Sequence, residues 1–435
     1  MVPLARADRP FAAGWTDIVS ILVTPLQIRS MPQLAPEAAS ALPARAPITP
    51  ILRGGSLGVL RRSELPTLLD GQRILTTSGR AALALALDAL RVGPGDEVLI
   101  PAYHCLALSA PIAARRARPV SYRVDEGLGI NLDDLRSRIT ERTKCVVAVH
   151  FFGFIQPLHA VRALCDSARL ALIEDCAHAF YSPRATPVGR TGDFAIGSLM
   201  KFFPIFDGGC LTSFVRPLPA VQLKARGIIF QLKALMHILE RSADWSGSAV
   251  LHRLIAAVRG ISAWLKRRNP ALTDQLAEAS PAAVFGSIDF EEQWVHARMS
   301  WPSRAIVHFA DHRRAVARRR HYFAKYLAAL TGLPGGEPWC RELPAGVAPY
   351  VFPFLLREAA VTFPALRAAR VPMYRWEDVD TQTCPTSAHY RQHLVQFPCH
   401  QELTEQEVEQ VIAGIRQVLA VAQTPSLAAV GGAAR

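Results

Sequence analysis

The 435-residue chain has no apolar run approaching the ~20 residues that a membrane-spanning helix needs, so the sequence predicts a protein that is not integral to a membrane. An apolar patch near the start, Ile18 to Val23, is flanked closely by Asp17 and Pro25 and lacks a small-residue cleavage pattern. A secretory signal is therefore a weak reading and the expected compartment is the cytoplasm. Met31 offers an alternative start. None of the eight cysteines forms a CxxC pair, which argues against a disulfide framework or a zinc site and for reduced thiols buried as small hydrophobes; no metal is expected. No internal repeat is present, which sets aside solenoids and propellers. Acidic residues are in short supply: 49 Lys and Arg stand against 36 Asp and Glu, a formal charge of +13. That balance favours anionic partners such as nucleotides, acidic membranes or nucleic acid, and specifies no fold.

What is present is a globular composition, 50% hydrophobic and 20% charged. At roughly 150 residues per domain it suggests two or three units. Residues 1–55 are rich in Ala, Pro and Arg without a sustained period and read as a loosely ordered extension. Residues 56–300 read as a large domain. Within it, from Leu75 to Phe214, short β-rich apolar runs alternate with amphipathic helical stretches, the pattern of βαβ units and a mostly parallel sheet. Strands are predicted at 97–100, 120–124, 145–150, 170–174, 194–198 and 210–214, and helices at 81–90, 132–139 and 158–168. A basic helical insertion covers about 220–285 and includes Lys266, Arg267 and Arg268. Residues 301–424 read as a small α+β domain. It begins with a long helix from Arg304 to Leu330, with Arg313, Arg314, Arg318, Arg319 and Arg320 on its polar side. It ends with a helix that Thr404 and Glu407 open as a capping box. Residues 425–435 read as a disordered tail.

Three short segments carry candidate chemistry. In Thr77-Ser78-Gly79-Arg80 a small polar turn opens an Ala/Leu-rich helix, which can be an ordinary cap or a place where free amides meet a phosphate. At Asp175 an apolar strand ends in a carboxylate with His178 three residues later. Strand ends of open α/β sheets collect catalytic groups; there an Asp can keep a heterocyclic nitrogen protonated and a His can donate to a neighbouring oxygen. Taken alone, Asp175 reads more often as a helix cap and His178 as a structural histidine. The third segment places Lys201 among Met200, Phe202, Phe203 and Pro204, with Ser198 three residues before it. Desolvation disfavours the charged form of an amine so placed, which suits a Schiff-base nucleophile, although an isolated lysine can snorkel instead.

The order of these segments, with Gly208-Gly209 seven residues after the lysine, resembles the DegT/DnrJ/StrS-type sugar aminotransferases. The resemblance extends to Gly93–Pro101 (GPGDEVLIP), Val149–Gly153 (VHFFG), Arg298–Ser300 and Phe397–His400. It implies an α/β fold of the type I pyridoxal 5′-phosphate (PLP) transferases: a large domain with a mostly parallel sheet flanked by helices, and a small α+β carboxyl-terminal domain. It further implies Lys201 as the residue that bonds the cofactor and shuttles protons, and Asp175 as partner of the ring nitrogen. The amides of Gly79 and Arg80, with Ser78 and Ser198, would hold the phosphate.

Several positions depart from the family pattern. His178 stands where Gln is usual beside the ring oxygen. Cys105 stands where an aromatic ring usually stacks, which passes that role to Tyr103 or His104. His296 takes the place of an Asn that reaches the partner subunit's phosphate, and Tyr350, Tyr374, Arg375 and Trp376 resemble substrate-contacting positions. The implied activity is amino transfer, with glutamate as donor, to the keto group of a nucleotide-linked sugar in glycan-precursor synthesis, by a homodimer. The alternatives are a sugar dehydratase, which the presence of Lys201 weakens, and a non-catalytic binding regulator. Nucleic acid is not an expected partner. The insertion either packs on the protein or rests on an acidic membrane.

Overall fold

The computed structural model describes residues 45–58, 67–183, 185–246, 290–377 and 379–421, with 252, 253, 255–257, 259 and 260. The expected extension up to residue 44, most of the insertion beyond 246 and the tail after 421 lie outside the described residues.

Seven strands form the principal sheet: β1 (Gln72–Thr76), β2 (Glu97–Pro101), β3 (Arg118–Tyr122), β4 (Thr143–Val149), β5 (Ala171–Asp175), β6 (Phe194–Ser198) and β7 (Gly209–Ser213). Their spatial order is β1-β7-β6-β5-β4-β2-β3. β3, β2, β4, β5 and β6 run parallel, and β7 lies antiparallel to both β6 and β1. All five residues of β2 and of β7 are buried. Such near-continuous burial is expected of a sheet covered on both faces. Four helices follow the strands: α1 (Gly79–Ala89), α2 (Leu106–Ala114), α3 (Leu132–Ser137) and α4 (His159–Ser167). α1 is built almost wholly of Ala and Leu, strong helix formers, and buries Ala81 through Leu87 against the sheet.

Helix α5 (Ile228–Ser246) opens the insertion. Phe230, Ala234, Ile238 and Ala243 are each at most 3% exposed, so one apolar face of the helix packs on the protein, while Ile228 and Leu232 stay exposed.

The helix expected from Arg304 to Leu330 is two helices, α6 (Trp301–Phe309) and α7 (His312–Leu330). Ala310 adopts an extended conformation, and Asp311 caps the second helix by accepting from the Arg314 amide at 2.9 Å. The break has a partner: the Gly58 amide donates to the Phe309 carbonyl and Leu57 bridges Ala310, so the strap at 45–58 crosses at the interruption. A second small sheet, β8 (Gly336–Pro338), β9 (Val351–Leu356) and β10 (Leu394–Pro398), is antiparallel. Around it lie α8 (Ala359–Ala368), α9 (Pro385–His393) and α10 (Glu405–Val421). α10 begins with the expected reciprocal cap between Thr404 and Glu407 and buries Val408, Val411 and Ile415 completely.

Of the five arginines of α7 Arg313 is exposed, and the other four do not form a solvated face. Ala315, Arg319, Tyr322, Tyr326 and Leu330 follow one helical stripe, and that stripe is the buried one. Arg314 reaches the buried Glu402, Arg318 the Leu403 carbonyl and Arg320 the carbonyls of Pro344 and Val347. The strand expected at 120–124 runs from Arg118 to Tyr122, because Val124 already belongs to a bridge with Ile130. All eight cysteines are free thiols, six of them buried.

Candidate active site

The sheet register brings the three candidate segments to one edge. Thr76, the last residue of β1, pairs with Gly209, which pairs with Ser198 at the end of β6. Asp175 at the end of β5 pairs with Ile196, and Val149 at the end of β4 pairs with Asp175. This is the carboxyl edge of the parallel strands, where open α/β sheets place ligands. Burial marks a crevice there. β5 is closed at Leu172, Ile173 and Glu174 and opens at Asp175; β6 is closed from Phe194 to Gly197 and opens at Ser198. Ser78, Gly79, Arg80 and Lys201 are likewise half-buried.

The Ser78 turn is fixed by close approach. A Cβ on Gly209 would lie 2.2 Å from the carbonyl of Ser78 and 2.5 Å from the Gly79 nitrogen, so only glycine permits β7 to start there. A Cβ on Gly79 would sit 3.3 Å from Ser198 Cβ, which places the amino terminus of α1 directly beside Ser198. The Ser78 hydroxyl caps α1 through the Ala81 amide. Thr76 Oγ1 donates to the Ser78 carbonyl, and Thr77 Oγ1 to the carbonyl of Trp294. The first amides of α1 therefore face the crevice from a rigid turn, as an anion site requires.

Asp175 accepts the Ala177 amide at 2.8 Å through Oδ1. Burial raises its carboxyl above the usual range, while Lys201 and the Ala177 amide pull it down. His178 is buried. Desolvation first, then the charge of Lys201, push its imidazole well below its ordinary value, so it is neutral. The Phe152 amide donates to His178 Nδ1 at 3.3 Å, which leaves the ring proton on Nε2. Phe152 has φ +57, a left-handed conformation costly for a bulky residue, and this turn is what aims its amide at the imidazole. His178 stacks on Tyr350 at 4.5 Å, and the Tyr350 ring lies 5.4 Å from Lys201 Nζ.

Tyr103, Phe151, Phe152 and Trp376 pack as one aromatic wall. Tyr103 is wholly buried with its ring 4.9 Å from that of Trp376, and burial raises its hydroxyl far above the ordinary value. His104 donates from Nδ1 to the Pro101 carbonyl at 2.8 Å. Both positions expected as stacking candidates thus already have partners in this wall. His296 stands apart: it is exposed, and its backbone carbonyl accepts the Lys224 amide.

Two contributors escaped the sequence reading. Arg319, wholly buried, donates from Nε to Gln401 Oε1, from Nη1 to the carbonyls of Pro349 and Tyr350, and from Nη2 to the carbonyl of Lys201. Glu174 accepts His150 Nε2 and the amides of Gly189, Thr191 and Gly192, which ties the loop after β5 beneath Asp175. His150 and Glu174 lie with Cys176 close enough to suggest a metal cluster. Yet His150 Nδ1 accepts the Gln156 amide and both Glu174 oxygens are taken, so the group has no ligand set to offer. Glu174 left no signal beyond its place in a strand, and Arg319 left none among other arginines.

The residues present fit a pyridine cofactor with a phosphate tail: a carboxylate, a neutral imidazole with a free N–H, a lysine amine and a helix amino terminus line one crevice. The fold is that of the type I PLP-dependent transferases. Residues 70–214 match the DegT/DnrJ/EryC1/StrS aminotransferase family. The chain is similar to a UDP-N-acetyl-3-dehydro-α-D-glucosamine 3-aminotransferase of Acidithiobacillus ferrooxidans, 26% identical over 79% of this chain and 83% of the relative. An L-glutamine:2-deoxy-scyllo-inosose aminotransferase of Streptomyces lividus is 40% identical over 47% of this chain and 52% of its own length. A solved aminotransferase from Streptoalloteichus hindustanus superposes with TM-score 0.56 at 23% identity, over 81% of this chain and 86% of that one. The family match over residues 70–214, with the similarity of most of the chain to a sugar aminotransferase, supports a PLP-dependent aminotransferase.

Proposed function

We propose that this enzyme transfers an amino group from glutamate to the keto carbon of a nucleotide-linked sugar, as a cytoplasmic homodimer supplying a glycan precursor. The supporting observation is the convergence of Asp175, His178, Lys201, Ser198 and the Ser78–Arg80 turn on one strand edge, joined to a relative of nearly equal length that acts on a UDP-linked sugar.

Bound PLP would supply an electron sink and a carrier for the amino group. Around it, Asp175 accepts from the ring nitrogen and keeps it protonated, and His178 Nε2–H donates to the ring oxygen. The Gly79 and Arg80 amides with the Ser78 and Ser198 hydroxyls hold the phosphate. Lys201 Nζ takes a proton from the amino-bearing carbon of the donor and, in the acceptor half-cycle, delivers one to the carbon that receives the amino group, a role that needs its amine unbonded while the substrate reacts. His296, exposed where its carbonyl accepts the Lys224 amide, is assigned to the partner subunit's phosphate. Tyr103 and His104 serve as the wall behind the ring. Residues 56–300 and 301–424 are taken as the two domains whose groove holds the site.

A second reading follows from the 40% identical relative: the acceptor is a keto-cyclitol without a nucleotide and the donor is glutamine. Incubation of the enzyme with each donor, and with UDP-linked 3- or 4-ketosugars or scyllo-inosose, decides by mass spectrometry. Amino-sugar nucleotide formed with glutamate supports the first reading; exclusive amination of the cyclitol supports the second.

A further inference from the structure

Beside the crevice, α5, the strap at 45–48 and the end of α8 enclose a cleft of about 800 Å³. Its lining carries Arg45, Arg241, Arg367, Arg370 and Arg375 against one carboxylate, Glu377. Glu377 is bound to Arg375 at 2.9 Å. Among the described residues the other four arginines have no carboxylate partner. Arg241 is half-buried and meets only neutral oxygens, those of Thr49 and Pro50, and burial lowers its pKa. An uncompensated cation out of water is costly unless an anion arrives to share the site. Guanidinium forks in this number suit the oxygens of a diphosphate better than a single carboxylate.

Aromatic faces complete the lining. Arg45 lies over Trp245 at 5.3 Å and Arg375 over Phe363 at 3.4 Å. Tyr374 connects the cleft to the reaction centre. It lines the cleft, its backbone pairs with Gln396 of β10, and its buried hydroxyl feels both Arg241 and Tyr350. Tyr350 is the residue whose ring lies 5.4 Å from Lys201 Nζ.

We infer that this cleft holds the diphosphate of the nucleotide-linked acceptor, with Arg45, Arg241, Arg367 and Arg370 on its oxygens and the sugar reaching past Tyr374 and Tyr350 to Lys201. The inference rests on the nucleotide-sugar reading above and gives the insertion helix a role in acceptor recognition.

The test uses the full-length PLP-loaded enzyme and a double charge reversal at two exposed positions, Arg45→Glu with Arg367→Glu. Arg136→Glu, on a distant exposed helix, is the control. Calorimetry with UDP, GDP and dTDP is expected to show binding to wild type and control, weakened at least tenfold in the double variant and by added salt, and competed by inorganic pyrophosphate. An unchanged melting temperature and cofactor absorbance exclude misfolding, and wild-type salt dependence and pyrophosphate competition stand without any variant. Nucleotide affinity equal in wild type and double variant, or no nucleotide binding at all, overturns the inference. If wild type aminates a UDP-ketosugar and the double variant does so with unchanged KM, the cleft assignment falls while the function stands. If wild type aminates only nucleotide-free ketones, the function reading falls and the cleft assignment with it.

Discussion

Arg319 Nη2 donates to the backbone carbonyl of Lys201 at 3.1 Å, so a wholly buried cation of α7 holds the main chain of the lysine that follows β6. No carboxylate neutralises it among the described residues. Its charge is met by the Gln401 amide oxygen, by three carbonyls and by the Phe202 ring, 4.5 Å away. Burial alone lowers its pKa, yet a guanidinium stays protonated. The contact therefore couples the position of Lys201 to the packing of α7.

Removing that side chain leaves four buried acceptors without a donor and opens a cavity. Arg319→Met is expected to cost about 3 kcal/mol or more in urea unfolding. Arg319→Lys, which can reach some of the same carbonyls, should recover part of that loss. A positioning role predicts more than instability: in whatever fraction remains folded, the donor half-reaction should slow while donor affinity changes little.

Gly209→Ala tests the Ser78 turn. The added methyl would collide with backbone rather than a flexible side chain, so the turn must move. PLP affinity, titrated by absorbance, should fall at least tenfold, whereas Gly227→Ala, with nothing within 4 Å of its added methyl, should leave affinity unchanged. Equal affinities would detach the amino terminus of α1 from phosphate binding.

Acid stability should report on His400. Its Nε2 donates to the Pro47 carbonyl, while its Nδ1 is buried without a partner. Protonation would therefore bury an unsatisfied charge, and its pKa is pushed from 6.5 down to about 3. Below pH 6.5 the unfolded chain binds a proton that the folded chain refuses, so this stability is present above 6.5 and is lost as pH falls toward about 3. His400→Leu should flatten the dependence of the urea midpoint on pH between 6.5 and 4. A slope as steep as wild type would assign the proton uptake elsewhere.

The sequence told some of this better than the rest. β6 was legible to the residue, because the apolar run from Phe194 to Ser198 is bounded by Asp193 on one side and the lysine segment on the other. That Asp175, His178 and Lys201 would meet was legible for a similar reason: each lies at or just after the end of a strand, and strand ends are read from apolar runs. Arg319 was not. On a helix carrying five arginines within eight positions, polarity argues that all face water, and only tertiary packing selects the one that turns inward. The break at Ala310 was hidden as well, since it depends on a distant strap and on an aspartate whose capping role resembles an ordinary surface charge. The cleft could not be read at all, because its arginines come from three segments far apart in the chain.

The most direct test of amino transfer through Lys201 is the donor half-reaction followed by absorbance. PLP-loaded wild type should be yellow, lose its visible band when glutamate is added, and regain it with a keto acceptor. Lys201→Ala should show no such cycle, and Asp175→Asn should slow it by about a hundredfold or more. A Lys201→Ala enzyme that still cycles, or a wild type that binds PLP and is never converted by any amino donor, would contradict the account.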